Sequence, residues 1–195
     1  MLVIELQNDL CGSQLAEERG LRGALARAVR DRGVISRLAP LLDACRARGV
    51  PVIYLTKERH PSIPAPSHAT IYKMAGPSPT LVHGTWGAQV VDEIKPTEGD
   101  LVLPRFTSID PSYGTELWSI CDSMGLTALV LAGISTTLAV EGTARAAANR
   151  NYRVIVVEDC CASVPHEWHQ FSVTNVLPLI GEVCPSEDVV GALKL

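Results

Sequence analysis

Residues 127–147 read TALVLAGISTTLAVEGTARAA, and the change of period inside this stretch decides the fold class. Ala128–Ala132 is an unbroken apolar run of strand length, and Gly133 ends it. Ser135, Thr136 and Thr137 supply hydroxyls of the kind that cap helices, and from Leu138 onward the apolar residues fall at helical spacing. A strand running straight into a helix places the helix N-terminus, with its unpaired backbone N–H groups and positive dipole end, at the carboxyl end of the strand. An enzyme gains most from a thiolate at such a point. Here that position is Ala139, which carries no functional group.

Working outward, the same alternation recurs. Leu2–Leu6 is a short apolar run with Glu5 near its end, and a helix is expected over 34–48, with Ile35, Leu38, Leu41, Leu42 and Cys45 on one face and Gly49 and Pro51 beyond it. Strands are expected at Val52–Leu55, Asp100–Leu103 and Arg153–Val157, with a short edge strand opening at Val183. Helices are expected at Glu116–Met124, Leu138–Asn149 and Trp168–Leu179. Nearly all-apolar strands alternating with helices predict an α/β fold, a three-layer sandwich whose mostly parallel central sheet is covered on both faces. Residues 57–86, rich in Pro, His and Gly, show no period and read as a lid or active-site loop within one domain spanning 1–195.

In such sheets ligands bind beyond the carboxyl ends of the strands. Glu5, Tyr54 with Lys57, Arg105 and the turn at Ser135–Ala139 all lie at such ends, so they form the candidate site. Glu5 is its acid–base candidate: burial favours the neutral carboxyl and a neighbouring arginine the ionised one, and the sequence leaves that balance open. Arg105 is permanently charged and cannot shuttle a proton, but its planar fork can hold a carboxylate or phosphate by two hydrogen bonds. Ser135, Thr136 and Thr137 either cap the helix, which explains them fully, or help to bind an anion. His60, Phe106 and Tyr113, together with Tyr54, Tyr72 and Trp86, are candidates for the pocket wall. Glu58, His60 and His68 are ligand-type residues in the loop and a weak candidate metal set. Asp159 follows a strand and is expected to receive backbone N–H bonds. Glu5 and Arg105 are expected to face a shared hollow above the methyl group of Ala139.

Five segments, in order, resemble the isochorismatase-like hydrolases, also called the cysteine hydrolase superfamily. Met1–Leu10, MLVIELQNDL, is similar to that family's first strand, and Gly49–Thr56, GVPVIYLT, to its second. Leu101–Leu117, LVLPRFTSIDPSYGTEL, is similar to its K-x-x-x-S-x-F-x-G-T-x-L segment. Gly133–Ala144 is similar to its signature turn, G-[VI]-x-T-x-x-C-V-x-x-T-A, and Tyr152–Ser163, YRVIVVEDCCAS, to its strand ending D-A-C-A-S. The family's usual triad is Asp, Lys and Cys. Carried over position by position these are Glu5, Arg105 and Ala139, so all three differ and the nucleophile is lost.

The resemblance implies a hydrolase or lyase fold without the acyl-thioester route. True isochorismatases cleave a vinyl ether by acid-assisted protonation and water addition, and an acid at 5 with a cation at 105 is compatible in kind with that. Glutamate, one methylene longer than aspartate, displaces the proton by about 1.5 Å. The expected activity is hydrolysis of a small anionic metabolite by a cysteine-independent acid/base route. The alternatives are an inactive relative that binds a metabolite or partner in the same pocket, and a metal-dependent amidase. The resemblance also implies a non-proline cis peptide just before Thr136, homodimers or homotetramers, and a structural or interface role for His166, Trp168 and His169, which match the family's E-x-H pattern.

Bulk properties narrow the field. A net charge of −4 without Lys/Arg runs argues against nucleic-acid binding, and no apolar stretch reaches the roughly 20 residues that span a bilayer. The N-terminus lacks a basic n-region, which argues against a signal peptide, and it starts inside the first strand, so a short leader is an expectation. Six scattered cysteines without a C-x-x-C pair predict buried thiols and a reducing, cytoplasmic setting. Cys160 and Cys161 are expected to be packed thiols. The sequence calls for no cofactor.

Overall fold

The computed structural model describes residues 1–17, 20–64, 66, 68–74 and 80–194. Its strands are β1 (Leu2–Ile4), β2 (Ile53–Lys57), β3 (Leu101–Arg105), β4 (Ala128–Ile134), β5 (Arg153–Ala162) and β6 (Glu182–Cys184). They form one sheet in the order β3-β2-β1-β4-β5-β6, and every pairing is parallel. The helices are α1 (Asn8–Cys11), α2 (Leu21–Asp31), α3 (Val34–Ala47), α4 (Thr70–Met74), α5 (Leu117–Ser123), α6 (Glu141–Asn149), α7 (His166–Phe171) and α8 (Ser186–Leu193).

Strand alternation builds the two apolar layers. Val3, Tyr54, Ala132 and Val157 face Val29, Leu38, Leu41 and Leu42, so α2 and α3 cover one side with α8 beside them. Leu2, Ile4, Ile53, Leu55, Leu129 and Leu131 face Leu117, Cys121, Val140 and Ala144, so α5 and α6 cover the other. Each fully buried leucine contributes about 1.5–3 kcal/mol, and the sheet is thus the three-layer core that the apolar runs predict. No helix among the described residues is long and apolar enough to cross a membrane.

The strand order reverses between β1 and β4, and a crevice opens at such a switch point. Close approach there depends on Gly133, the register partner of Ile4. Its φ of +132° suits glycine, and a Cβ would lie 2.1 Å from the Ile4 carbonyl oxygen. Gly133→Ala should therefore cost about 3 kcal/mol, as overpacking against backbone does. Urea denaturation checks this, and a loss below about 1 kcal/mol would show that the two strands can part cheaply.

Several elements run beyond their expected limits. β2 continues to Lys57 and β3 to Arg105, which brings both cations to the sheet's carboxyl edge. The helix expected over 138–149 opens with a wide π turn, Thr136–Val140, before α6 begins. The helix expected over 168–179 is α7, then a π turn and a 3-10 turn. Within the loop at 57–86, α4 is present and Arg59 bridges to Val82, while residues 65, 67 and 75–79 lie outside the described residues.

Candidate active site

Glu5 leaves β1 in the left-handed region, at φ 54°, with its N–H donating to the Leu55 carbonyl at 2.9 Å. For a non-glycine residue this conformation costs on the order of 1 kcal/mol and is found where surrounding structure enforces it. It turns the Glu5 side chain to Arg105 at the end of β3, and Oε1 accepts from Nη2. The guanidinium is held further by the loop it precedes: Nε donates to the Ser108 carbonyl at 3.0 Å and Nη2 to that of Ile109 at 3.1 Å. That loop is shaped from within. Asp110 Oδ1 accepts from both the N–H and the hydroxyl of Ser112 at 2.8 Å, and the Ser108 hydroxyl donates to the Asp110 carbonyl at 2.8 Å. The Arg105 side chain is only 3% exposed, and its Nη1 is buried without a hydrogen-bond partner.

Ala139 is 3% exposed and packs with Leu2, Ile4 and Cys161. The cis peptide is present but joins Ile134 to Ser135, one bond earlier than expected. The Ser135 carbonyl accepts N–H bonds from Leu138, Ala139 and Val140 at 3.0–3.3 Å, so those three amides are not open to an anion. Nor do the threonine hydroxyls cap the helix, contrary to expectation. Thr136 Oγ1 bonds His169 Nδ1 at 2.8 Å and Thr137 Oγ1 bonds Ser163 Oγ at 2.9 Å, because both side chains point into the α7 side of the turn.

The hollow also differs from the expected one. A cavity of about 170 Å³ sits over the ends of β2 and β3, with Lys57, Glu58, His60, Tyr72, Phe106 and Ser108 in its wall, and Ala139 is not part of that wall. It adjoins the ion pair through Ser108, whose carbonyl holds Arg105. Lys57 Nζ lies 5.2 Å from the centre of the Tyr72 ring, and the Tyr72 hydroxyl donates to the Thr107 carbonyl at 3.2 Å. Burial lowers the Lys57 ammonium from its ordinary value, with the Glu5 charge opposing and Arg105 and Arg59 adding to the drop.

Lys57, His60 and Phe106 thus meet as expected, but Tyr54 and Tyr113 do not join them. Tyr54 is buried on the opposite face, where its hydroxyl donates to the Ile94 carbonyl at 2.8 Å and accepts from Arg46 at 3.0 Å. Alternation along β2 dictates this, since Tyr54 and Lys57 are three residues apart. Tyr113 is 73% exposed and Trp86 is exposed, both away from the cavity wall. Glu58 is turned to His83, whose Nδ1 lies 2.5 Å from Oε2, and to Thr56 at 3.1 Å. His60 Nδ1 accepts from the Ser62 N–H at 3.2 Å. Among the described residues no three His, Cys, Asp or Glu side chains are grouped to hold a metal, so Glu58, His60 and His68 do not make a ligand set.

Gln7 and Asn8 carry structural work that the sequence reading misses. Gln7, fully buried, grips the Lys57 backbone at both ends: Nε2 donates to its carbonyl at 2.9 Å and Oε1 accepts its N–H at 2.8 Å. Asn8 Nδ2 donates to the Trp86 carbonyl at 2.9 Å. The polar run Gln7-Asn8-Asp9, set directly after an apolar strand, is the signal that could have exposed them.

His169 is the buried support of the signature turn. Its Nε2 is 3.8 Å from Glu158, which Arg32 engages at 2.9 Å, and burial, with Arg32 and His166 nearby, lowers its pKa to about 4. The unfolded chain, with a histidine near 6.5, takes up the proton first as pH falls. This contribution to stability is therefore complete above about pH 6.5 and is lost as pH falls toward 4, by about 3 kcal/mol at most. Urea midpoints at pH 7 and pH 4.5 should differ more for the parent than for His169→Gln, and equal differences would remove His169 as the cause.

The described cysteines are all free and Cys160 and Cys161 are buried, with burial pushing the Cys161 thiol up to about 12 and that of Cys160 still higher. Asp159 accepts both the N–H and the hydroxyl of Ser186 at 2.8 Å, the structural part expected of it.

The Isochorismatase domain model matches residues 1–188. The ureidoacrylate amidohydrolase RutB of Agrobacterium fabrum is 30% identical over 177 residues, covering 84% of this chain and 77% of that protein. An isochorismatase family protein from Burkholderia thailandensis superposes with a TM-score of 0.77 at 28% identity, covering 100% of this chain and 94% of the other. The N-carbamoylsarcosine amidase from Thermoplasma acidophilum does so with a TM-score of 0.73 at 28% identity, covering 95% of each.

Proposed function

The chain belongs to the isochorismatase family, and on that premise we propose that it is a hydrolase acting on a small anionic metabolite by a cysteine-independent acid/base route through Glu5 and Arg105. The observation that carries this reading is the contact of these two side chains across the ends of β1 and β3, with Arg105 Nη1 buried and still without an acceptor. A buried ion pair is a poor source of net stability, so its retention beside a cavity speaks for use. In this route Glu5 draws a proton from water and Arg105 holds negative charge on the substrate through Nη1, its one nitrogen without an acceptor. The amidohydrolase and amidase named among the relatives point to hydrolysis of a C–N bond as the first chemistry to try.

A second reading, binding without turnover, is favoured by one fact: Ala139 lies under apolar neighbours, so the nucleophile position offers nothing to a substrate. To separate the two readings, the protein is incubated with small carboxylates, carbamoyl acids (ureidoacrylate and N-carbamoylsarcosine included) and enol ethers, with thermal shift for binding and mass spectrometry for products. Conversion of a bound compound supports the hydrolase. Stabilisation without any product supports the binding protein and overturns the proposal.

A further inference from the structure

Loss of the family's lysine at position 105 leaves a site whose arginine cannot trade a proton. Lys57 stands next to it. The two are register partners at the ends of β2 and β3, and register partners in a parallel pair project from the same face of a sheet. Ile53 and Leu55, which share the alternation of Lys57, pack in the same apolar layer as Ala139. Lys57, Arg105 and the vacant nucleophile position therefore serve one side of the sheet.

Three further facts separate Lys57 from an ordinary surface lysine. Its backbone is pinned by Gln7 at both N–H and carbonyl. Its ammonium lines the cavity, near the Tyr72 ring, and among the described residues no carboxylate is ion-paired with it. The charges that act on it are Glu5, Arg105 and Arg59, with Glu58, His60 and Tyr72 also in the cavity wall. Burial makes the neutral amine more accessible than in a solvated lysine.

We infer that Lys57 is a catalytic residue of this site: the cation that gives up and regains a proton during hydrolysis, one strand away from the position where the family carries its lysine. This rests on the hydrolase reading. As water attacks, its oxygen forms the new bond to the substrate carbon and Glu5 takes one water proton. The bond from that carbon to the leaving atom breaks, and the Lys57 ammonium delivers its proton to the leaving atom. Proton return from Glu5 to Lys57 through solvent restores both groups, so the sum is substrate plus water. The flat walls of Tyr72, Phe106 and His60 suit a small planar carboxylate.

The chain has four lysines, 57, 73, 95 and 194, so reductive methylation with ¹³C-formaldehyde gives a resolvable NMR titration, with Lys57→Arg assigning the resonance. Lys57 should titrate below the other three, and acrylate, used as the planar carboxylate probe, should move its resonance and leave theirs in place. On the compound hydrolysed by the parent, Lys57→Arg should lower kcat about 100-fold or more with KM changed less than about threefold, because charge is kept and proton transfer is lost. Lys57→Met should lose both. A Lys57 that titrates with the others, ignores acrylate, or can be replaced by arginine at the parental kcat overturns the assignment. Parental turnover with an intact Lys57→Arg rate removes Lys57 alone, whereas a parent that converts nothing removes the hydrolase reading and this role with it.

Discussion

Glu5→Gln should lower turnover of the hydrolysed compound by about 10²–10⁴-fold, the range typical of a lost acid–base group, while leaving the protein folded. Arg105 explains the second half of that expectation. Its Nε and Nη2 already donate to the carbonyls of Ser108 and Ile109, and the amide oxygen of glutamine can accept the bond that Glu5 Oε1 accepts now. The substitution keeps size and hydrogen bonding and removes the capacity to accept a proton. Steady-state rates on the panel compound, paired with binding by calorimetry, separate these effects. A retained rate would reassign Glu5 as a mere partner of Arg105; lost binding alongside a lost rate would make it part of the substrate's binding surface instead.

Arg105→Met should destabilise by about 3–5 kcal/mol, the usual effect of removing one member of a buried pair. The Glu5 side chain is 12% exposed and would face an apolar neighbour where its guanidinium had been. The carbonyls of Ser108 and Ile109 would lose their donor as well. Removing both charges, in Glu5→Gln with Arg105→Met, should recover more than half of that loss, because the unpaired carboxylate and not the missing contact carries most of it. Urea denaturation of the four proteins in the cycle tests this. A single-variant loss below about 1 kcal/mol would show that water reaches Glu5 freely, and the pair would then be an exposed one.

The fold was legible because it depends on patterns that burial imposes. Apolar runs at 2–6, 52–55, 128–132 and 153–157 sit in strands hidden on both faces, and α3 shows its buried stripe plainly. α2 went unread although its period is marked: its buried positions Gly23, Ala26 and Val29 recur every three residues among arginines, but they are small and the segment as a whole is polar. α8 lays Val189, Val190 and Leu193 against the core without burying any residue fully.

Within the site, position along a strand was readable and direction was not. Glu5 and Arg105 meet because both end strands on the same edge, which spacing alone places. Tyr54 was misplaced because one residue's shift along β2 carries a side chain to the other face. Thr136 and Thr137 look like caps in the sequence, and only the return of the chain at His169 and Ser163 draws their hydroxyls elsewhere. Glu58 finds His83 across a 25-residue loop, a pairing with no local pattern. Likewise the cavity lies over β2 and β3 and not over Ala139, because the π turn at 136–140 packs its own methyl group inward.

Hydrolysis without a thiol is the core of this account, and thiol blocking addresses it most directly. After treatment of the folded protein with iodoacetamide, with the modified cysteines identified by mass spectrometry, the protein should convert the panel compound at its untreated rate. Activity that disappears in step with modification of one cysteine would contradict the account and return the chemistry to a sulfur nucleophile.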